Sequence, residues 1–545
     1  MRFFWLYIFL CLFCFRGLRA QEAPFSVPFE HQLERYYKEA MLETGEFGRH
    51  DVVKPLLLDH FAVPDIGLMD TAGKELSLVK RKLLYEHLIN YSREGFSFQL
   101  DPLFDFGVGY EGVAGKTTWV NTRGLQLQGN IGEQIAFYSS LYENQQATPA
   151  YIDRFINSHL IMPVVPGTGI MPGQGIVRDF KDGTGWDYAN ATAYVSYSPS
   201  PYLNFQFGHD RHFIGSGYRS LLLSDVSFPY PYFRLQANLG PLQYTYWLMQ
   251  HTDPGAQPLS FLMAFRKKYA SMGFLNWQVN KKLQIGLFQA LTWPGDDSLS
   301  GVKPPAWQYM NPVVFLHPIH YGNGSDGNLN IGLNLQWVMN SRMTLYSQLL
   351  FDEVRINELF SKPDAATNKY GVQLGMKFYD AFKVKDLYFQ TEVNVVRPYT
   401  YSHISRLSNY GHYLQPLAHP SGANFYEFLL LGDYRFKDRW YLEGKLVYST
   451  MGVDTSSVSY GGDIFKSYND APDGVATTNV YIGQGLESVL FHGELRVGYL
   501  LNPKTNMRLE ARFIYREQGS LRDRLETSWV MVGFKTALRN LYGDF

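Results

Sequence analysis

The densest grouping of chemically capable side chains is the run Gly208-His209-Asp210-Arg211-His212-Phe213-Ile214-Gly215-Ser216-Gly217-Tyr218-Arg219-Ser220, with Ser224 and Asp225 close behind. Two imidazoles three residues apart suggest a metal, but a metal site needs a third ligand at a defined spacing and none follows. The serines beside His209 and His212 offer a nucleophile and a base. No Gly-x-Ser-x-Gly elbow frames them, so acyl-transfer chemistry has no geometric support. The carboxylate pairs Asp296-Asp297 and Asp352-Glu353 suit glycosidases only if both acids face one substrate, and neighbours on a strand point to opposite sides. Asp182 to Asp187 lacks the ligand pattern of a calcium loop. The expectation is a non-enzyme with no metal and no cofactor. His209, His212, Gly215, Gly217, Arg219 and Asp225 then form a structural loop motif, in which the glycines permit a tight fold and Arg219 pairs with Asp225.

A second constellation suits recognition. Arg397, Tyr399, Tyr401, His403, Tyr410, His412, Tyr413 and His419 fall within one stretch. Rings stack on the apolar face of a sugar, and planar polar groups clamp its hydroxyls or carboxylates. Trp293, Trp307, Tyr309, Tyr321, Tyr460, Tyr468 and Tyr481, with Arg406 nearby, add to such a surface. The competing expectation is that these rings form membrane girdles and pack loops into a compact cap.

The elements that must carry these residues alternate with a period of two. In Lys385 to Arg397, Leu387, Phe389, Thr391, Val393 and Val395 share one side, while Tyr388, Gln390, Glu392 and Asn394 share the other. Val489 to Tyr499 and Met507 to Tyr515 repeat the pattern, with charges of both signs confined to one face. Few segments could cover the apolar face as a second sheet, so lipid outside and water inside answers it better. Tight polar connections recur at residues 129–133, 198–201, 238–241, 280–282, 340–342, 381–386, 436–439 and 502–506. Eight hairpins, with an opening strand near Phe96 to Tyr110 and a closing strand near Ser528 to Leu538, predict an all-β transmembrane barrel of about 18 antiparallel strands. Long segments alternate with the short turns and are expected to face outward, with both barrel ends in the periplasm. The aromatic Phe545 resembles a barrel-assembly signal.

The chain divides into a signal peptide (1–20), a helical periplasmic or plug region (21–95) and the barrel with long extracellular loops (96–545). Arg2, the apolar run Phe3 to Phe15 and Ala20 read as a cleavable leader, shorter than the about 20 residues of a membrane anchor. Cys11 and Cys14 both fall inside it, so the exported chain is expected to lack disulfides. Helical spacing recurs at Leu33, Tyr36, Tyr37, Ala40 and Met41, and from Leu76 to Leu88 after a cap at Thr71. The predicted unit closes the periplasmic mouth. A net charge of −1 argues against a nucleic-acid partner, and aromatic content of 16% suits a membrane interface and sugar contacts alike.

The run from Gly208 to Asp225 resembles a signature of the Wzi-like capsule-assembly family of outer-membrane proteins, particularly its Bacteroidetes branch with the gliding-motility protein RemB. Val164 to Gly167, Asp187 to Ala189, Asn311 to Phe315, Gln348 to Glu353, Arg397 to His403 and Leu417 to Phe425 agree with it. The resemblance implies an outer-membrane barrel that binds or organises surface polysaccharide, lectin-like, in capsule assembly or attachment. The partners expected are the bilayer and that polysaccharide. Two alternatives stay open: an accessory of gliding or secretion machinery at the cell surface, and a diffusion channel.

Overall fold

In the computed structural model, residues 25–545 are described apart from 27–28, 44–49, 59–75, 162–166, 181–182, 257–264, 298–300, 303–305, 314–326, 353–360, 438, 521–522 and 537–538. The leader with its two cysteines, Thr71 and Tyr321 lie outside the described residues. Eighteen antiparallel strands form a closed barrel, from Phe96–Glu111 to Arg524–Lys535, which pair with each other to seal it. Every short turn expected from the sequence joins two neighbouring strands. The opening strand starts and the closing strand ends at the short-turn end. No helix among the described residues is long and apolar enough to cross a membrane.

The alternation resolves as expected. Phe207, Val108, Leu141, Val195 and Val532 are exposed on the outer wall, while Gln348, Gln373, Glu392, Asn394 and Glu427 are buried on the inner one. Trp277, Trp337, Trp440, Tyr197 and Tyr202 mark the short-turn rim, and Tyr110, Tyr426 and Tyr448 sit toward the long loops, the two aromatic girdles of a membrane barrel. The protein is an outer-membrane β-barrel.

The polar inner face does not border an open channel. Helix α1 (His31–Glu43) reaches the lower wall, where Arg35 pairs with Asp433 at 3.4 Å and Glu443 at 3.1 Å. Beyond it, Val53–Lys54 forms a two-residue ribbon with Phe213–Ile214 of the loop that descends from the long-loop end. Lys54, with no exposure, pairs with Glu34 of α1 at 2.7 Å. Helix α2 (Leu78–Leu84) is shorter than the spacing suggested, and none of its residues is buried. Helix α3 (Ala150–Ser158) belongs to a long-loop connection.

The closing strand, expected near Ser528 to Leu538, spans Arg524–Lys535, and Phe545 lies beyond it. The chain then climbs the lumen: Thr536 meets Phe104, Tyr542 meets Asp225, and Phe545 packs edge-on against Phe155 of α3 at 4.8 Å. Arg539 bonds Asn144, Asn540 and Tyr542 bond Asp225, and Asp544 accepts from Arg219, all inside the barrel.

Leu141→Arg on the outer wall should destabilise membrane-folded protein by about 2–4 kcal/mol, the cost of a cation facing hydrocarbon near mid-depth. Urea titration in lipid vesicles, read by heat-modifiable gel migration, checks it.

Candidate functional site

The site grows from the inner wall. Register places Asn334, Gln348, Gln373, Asn394, Glu427 and Ser449 side by side across six strands. Three hydrogen bonds join neighbours along it, Gln348 Nε2 to Asn334 at 3.1 Å, Gln373 Nε2 to Asn394 at 2.9 Å and Asn394 Nδ2 to Glu427 at 3.0 Å. This row receives the descending loop. Leu221 N–H donates to Gln348 at 2.8 Å, Gln373 donates to the Arg219 carbonyl at 3.0 Å, and Glu392 accepts the amides of Tyr218 and Arg219 at 2.8 and 3.1 Å. A Cβ on Gly217 would stand 2.6 Å from the Glu392 carboxylate, so the approach needs glycine there.

Arg219 is wholly buried at the centre. Its guanidinium donates to both Glu427 oxygens, at 3.3 and 3.1 Å, and to the Asp544 carboxylate and carbonyl at 3.1 and 3.0 Å. The rings of Tyr218 and Tyr542 lie 5.0 and 5.6 Å from it. The expected Arg219–Asp225 pair is therefore replaced: Asp225 accepts from Asn540 at 2.8 Å and from Tyr542 at 2.7 Å. Two carboxylates beside the guanidinium compensate its lost water better than one. Nothing in the sequence ties Asp544 or Glu427 to a loop so distant in chain order. The signal available was the polar, non-alternating run Arg539-Asn540-Leu541-Tyr542-Gly543-Asp544 after the last strand.

The histidines and serines of this loop part company. His209 bonds the Ala191 carbonyl at 2.9 Å, and His212 packs against Tyr232 with ring centres 4.3 Å apart. Ser216 donates to Gln336, and Ser220 donates to the Ile214 carbonyl. Among the described residues, no serine of this loop is hydrogen-bonded to a histidine, and no group of three metal-ligating side chains occurs.

The Arg397 to Asn424 loop lies over the descending one as a cap. Arg397 donates to the Asn368 carbonyl at 2.8 Å. Tyr399 and Tyr401 take left-handed φ values of 68° and 69°, held by Tyr399 N–H on Gly461 at 3.0 Å and Tyr401 N–H on Asp352 at 2.6 Å. The Tyr401 and Tyr410 hydroxyls donate to the carbonyls of Leu221 and Leu222 at 2.8 and 2.7 Å, and the two rings stack. His412 Nδ1 accepts the Thr252 amide at 2.9 Å, and His419 bonds Glu427 at 2.9 Å. All six of these side chains are buried, so they build the cap rather than face solvent. His403 and Tyr413 are only half-buried, as are Tyr460 and Tyr468, while Tyr481 is 65% exposed. Trp293 and Tyr309 are buried and pack together against Leu291 and Leu329, while Trp307 beside them is exposed.

Burial sets the cap's protonation. It pushes the Tyr399 phenol up to about 12 and holds His412 down at about 3.

These features define a class: an outer-membrane barrel whose lumen is filled by its own chain. Among solved structures, the chain is similar to Wzi of Escherichia coli, an outer-membrane protein involved in group 1 capsule assembly and a carbohydrate-binding β-barrel. The TM-score is 0.55 at 13% identity, over 95% of this chain and 100% of that one. The Pseudomonas aeruginosa protein OprD matches at 0.41 and 9%, over 80% of this chain and 94% of that one. OccAB2 of Acinetobacter baumannii matches at 0.42 and 10%, over 81% and 97%. No family model and no curated protein sequence matches the chain.

Arg219→Met should cost about 3–5 kcal/mol, because Glu427 and Asp544 would remain buried without their cation. A lowered urea midpoint of the folded, heat-modifiable species measures this. The cap should also loosen in acid. An unfolded His412 takes up its proton below about pH 6.5, whereas the folded one resists until about pH 3, so the unfolded state binds more protons across that window. Stability present above about pH 6.5 is lost as pH falls toward 3, and protease cleavage within residues 397–424 should rise accordingly, with a shallower slope in His412→Asn.

Proposed function

We propose that the chain is a non-enzymatic outer-membrane protein that holds surface polysaccharide on the outer face of its loop cap. The observation that carries this reading is a lumen filled from both ends beneath a rigid aromatic cap. Such a molecule offers a fixed outward surface and a poor path for solutes. Its fold likeness to Wzi, itself a carbohydrate-binding barrel of capsule assembly, supports the same reading. So do the motif runs at Gly208 to Asp225 and Arg397 to Phe425, on which the closer placement in the Wzi-like family and its Bacteroidetes branch with RemB rests.

Within this proposal the residues divide their work. Arg397, Tyr399, Tyr401, Tyr410, His412 and His419 position the loop from below. His403, Tyr413, Tyr460, Tyr468 and Tyr481 offer rings and a polar edge to sugar. Residues 1–20 are removed on export, 21–95 close the periplasmic mouth, and 96–545 form the barrel.

One observation favours a second reading, an accessory of gliding or secretion machinery. Helix α2 leaves Leu78, Val79 and Leu83 uncovered at the short-turn end, where Asn502 bonds the carbonyls of Lys82 and Glu86. A protein of the cell envelope would find an apolar patch there. The filled lumen speaks against a diffusion channel.

Detergent-purified protein should retain capsular polysaccharide from the producing cell. Replacing Tyr468 and Tyr481 with alanine should weaken retention about tenfold, the scale of losing two ring contacts. Conductance in planar bilayers should stay at baseline. Absent retention, with envelope proteins co-purifying through Leu83-dependent contacts, would favour the second reading.

A further inference from the structure

A cavity of about 160 Å³ remains between α1, the lower wall and the segment that climbs the lumen. Liquid water occupies roughly 30 Å³ per molecule, so the space admits a small ligand with some of its hydration. Its wall residues place it at the periplasmic end. Lys377 precedes the strand end Phe378, Arg508 follows the strand start Met507, and Lys535 closes the last strand.

Eight lysine and arginine side chains line the cavity against five aspartates and glutamates. Most of these cations are spoken for. Arg35 and Arg496 pair with Glu443, Lys445 and Arg512 with Glu494, and Lys535 and Arg508 with Glu510. Two are not. Lys377, buried on the wall, makes no ion pair or hydrogen bond among the described residues; it lies 5.9 Å from the ring of Tyr346 and shares the field of Glu34 and Asp51 with Lys38 and Lys54. Arg539 stacks on Tyr142 at 4.1 Å and spends one nitrogen on Asn144 at 3.2 Å, leaving Nε and Nη1 without an acceptor. Gln32 Nε2, in the first turn of α1, also lacks one. Among the acids of the lining, Glu34 lies 2.7 Å from the Lys54 ammonium and Glu494 2.8 Å from that of Lys445, while the Asp105 carboxylate makes no ion pair or hydrogen bond among the described residues and faces Lys535 and Arg539. Against Asp105, the one carboxylate of the described lining without a partner, stand Lys377, two nitrogens of Arg539 and the Gln32 amide, so donors remain in excess.

We propose that this cavity binds a small oxyanion, a phosphate or carboxylate group presented from the periplasm, with Lys377 and Arg539 as its cationic contacts. An oxyanion supplies several acceptors in a small volume, and its bonds to charged donors are about twice as strong as neutral ones. The proposal is independent of the cap's sugar-binding reading.

The test is calorimetric titration of the full-length, detergent-purified protein at low ionic strength, where screening is least. The probes are inorganic phosphate, glucuronate and, as the neutral control, glucose. Binding of either anion without glucose is expected, and which anion binds tighter tells a free phosphate from a sugar acid. Lys377→Gln and Arg539→Gln should each weaken binding about tenfold or more, the scale of one charged hydrogen bond. No heat with either anion, or unchanged affinity in both variants, would overturn the proposal. Should a variant fail to fold, judged by heat-modifiable migration, the unaltered protein decides: phosphorus resonance broadening reversed by glucuronate, or saturable glucuronate heat, supports the site, and absence of both removes it.

Discussion

A guanidinium with no route to water must be surrounded by acceptors, and Arg219 is the point where the interior of this barrel meets that demand. Its acceptors come from Glu427 on the wall and Asp544 near the end of the chain, while Arg219 itself rides on a loop from the opposite rim. Three separate parts of the chain are thus fixed by one cation. Asp544 extends the arrangement to Lys445 at 2.8 Å and to the Tyr218 hydroxyl at 3.0 Å, and Glu427 extends it to His419 of the cap. Moving any one part would strand a charge in a medium that does not solvate it.

The bilayer explains why the interior can be so polar. Hydrocarbon covers the outer wall, so each strand places its apolar residues there and leaves the inner face to amides and charges. A row of Gln and Asn side chains then resembles a strip of backbone, with donors and acceptors alternating along it. The descending loop uses it as such: its own amides and carbonyls bond Gln348, Gln373 and Glu392 in place of a neighbouring strand. That is how an irregular segment can run at membrane depth without orphaned backbone groups.

The wall was legible in the sequence because its code is local. A period of two, broken by turn residues such as Asn280 and Asn340 with their side chains accepting from the backbone two residues on, needs only neighbours to be read. Lumen contents were legible only in part. The glycines at 215 and 217 signalled a tight loop, yet the partner of Arg219 could not be chosen, since Asp225 is near in sequence and Asp544 only in space. The same distance hid the climb of residues 539–545. The cap admitted two readings, a sugar platform or rings packed into a compact cap, and the hydroxyls of Tyr401 and Tyr410 end on the Leu221 and Leu222 carbonyls. Composition states what a ring can bind and not which way it points.

Filling the lumen with ion pairs rather than with leucine gains little stability by itself, since a buried pair roughly offsets its own desolvation. The gain lies earlier in the life of the chain. Strands apolar on both faces, such as a greasy interior would require, combine high β-propensity with no charge, the pattern most prone to aggregate while still unfolded. Placing Glu494, Arg496, Arg508, Glu510 and Arg512 on the inner faces of two consecutive strands interrupts that pattern at every second residue. Once the barrel closes, those charges need partners, and Lys445, Lys535 and Glu443 of neighbouring strands, with Arg35 of α1, complete the set. The polar interior is therefore a consequence of keeping the strands soluble beforehand, and the segments that fill the lumen are what such an interior makes energetically admissible.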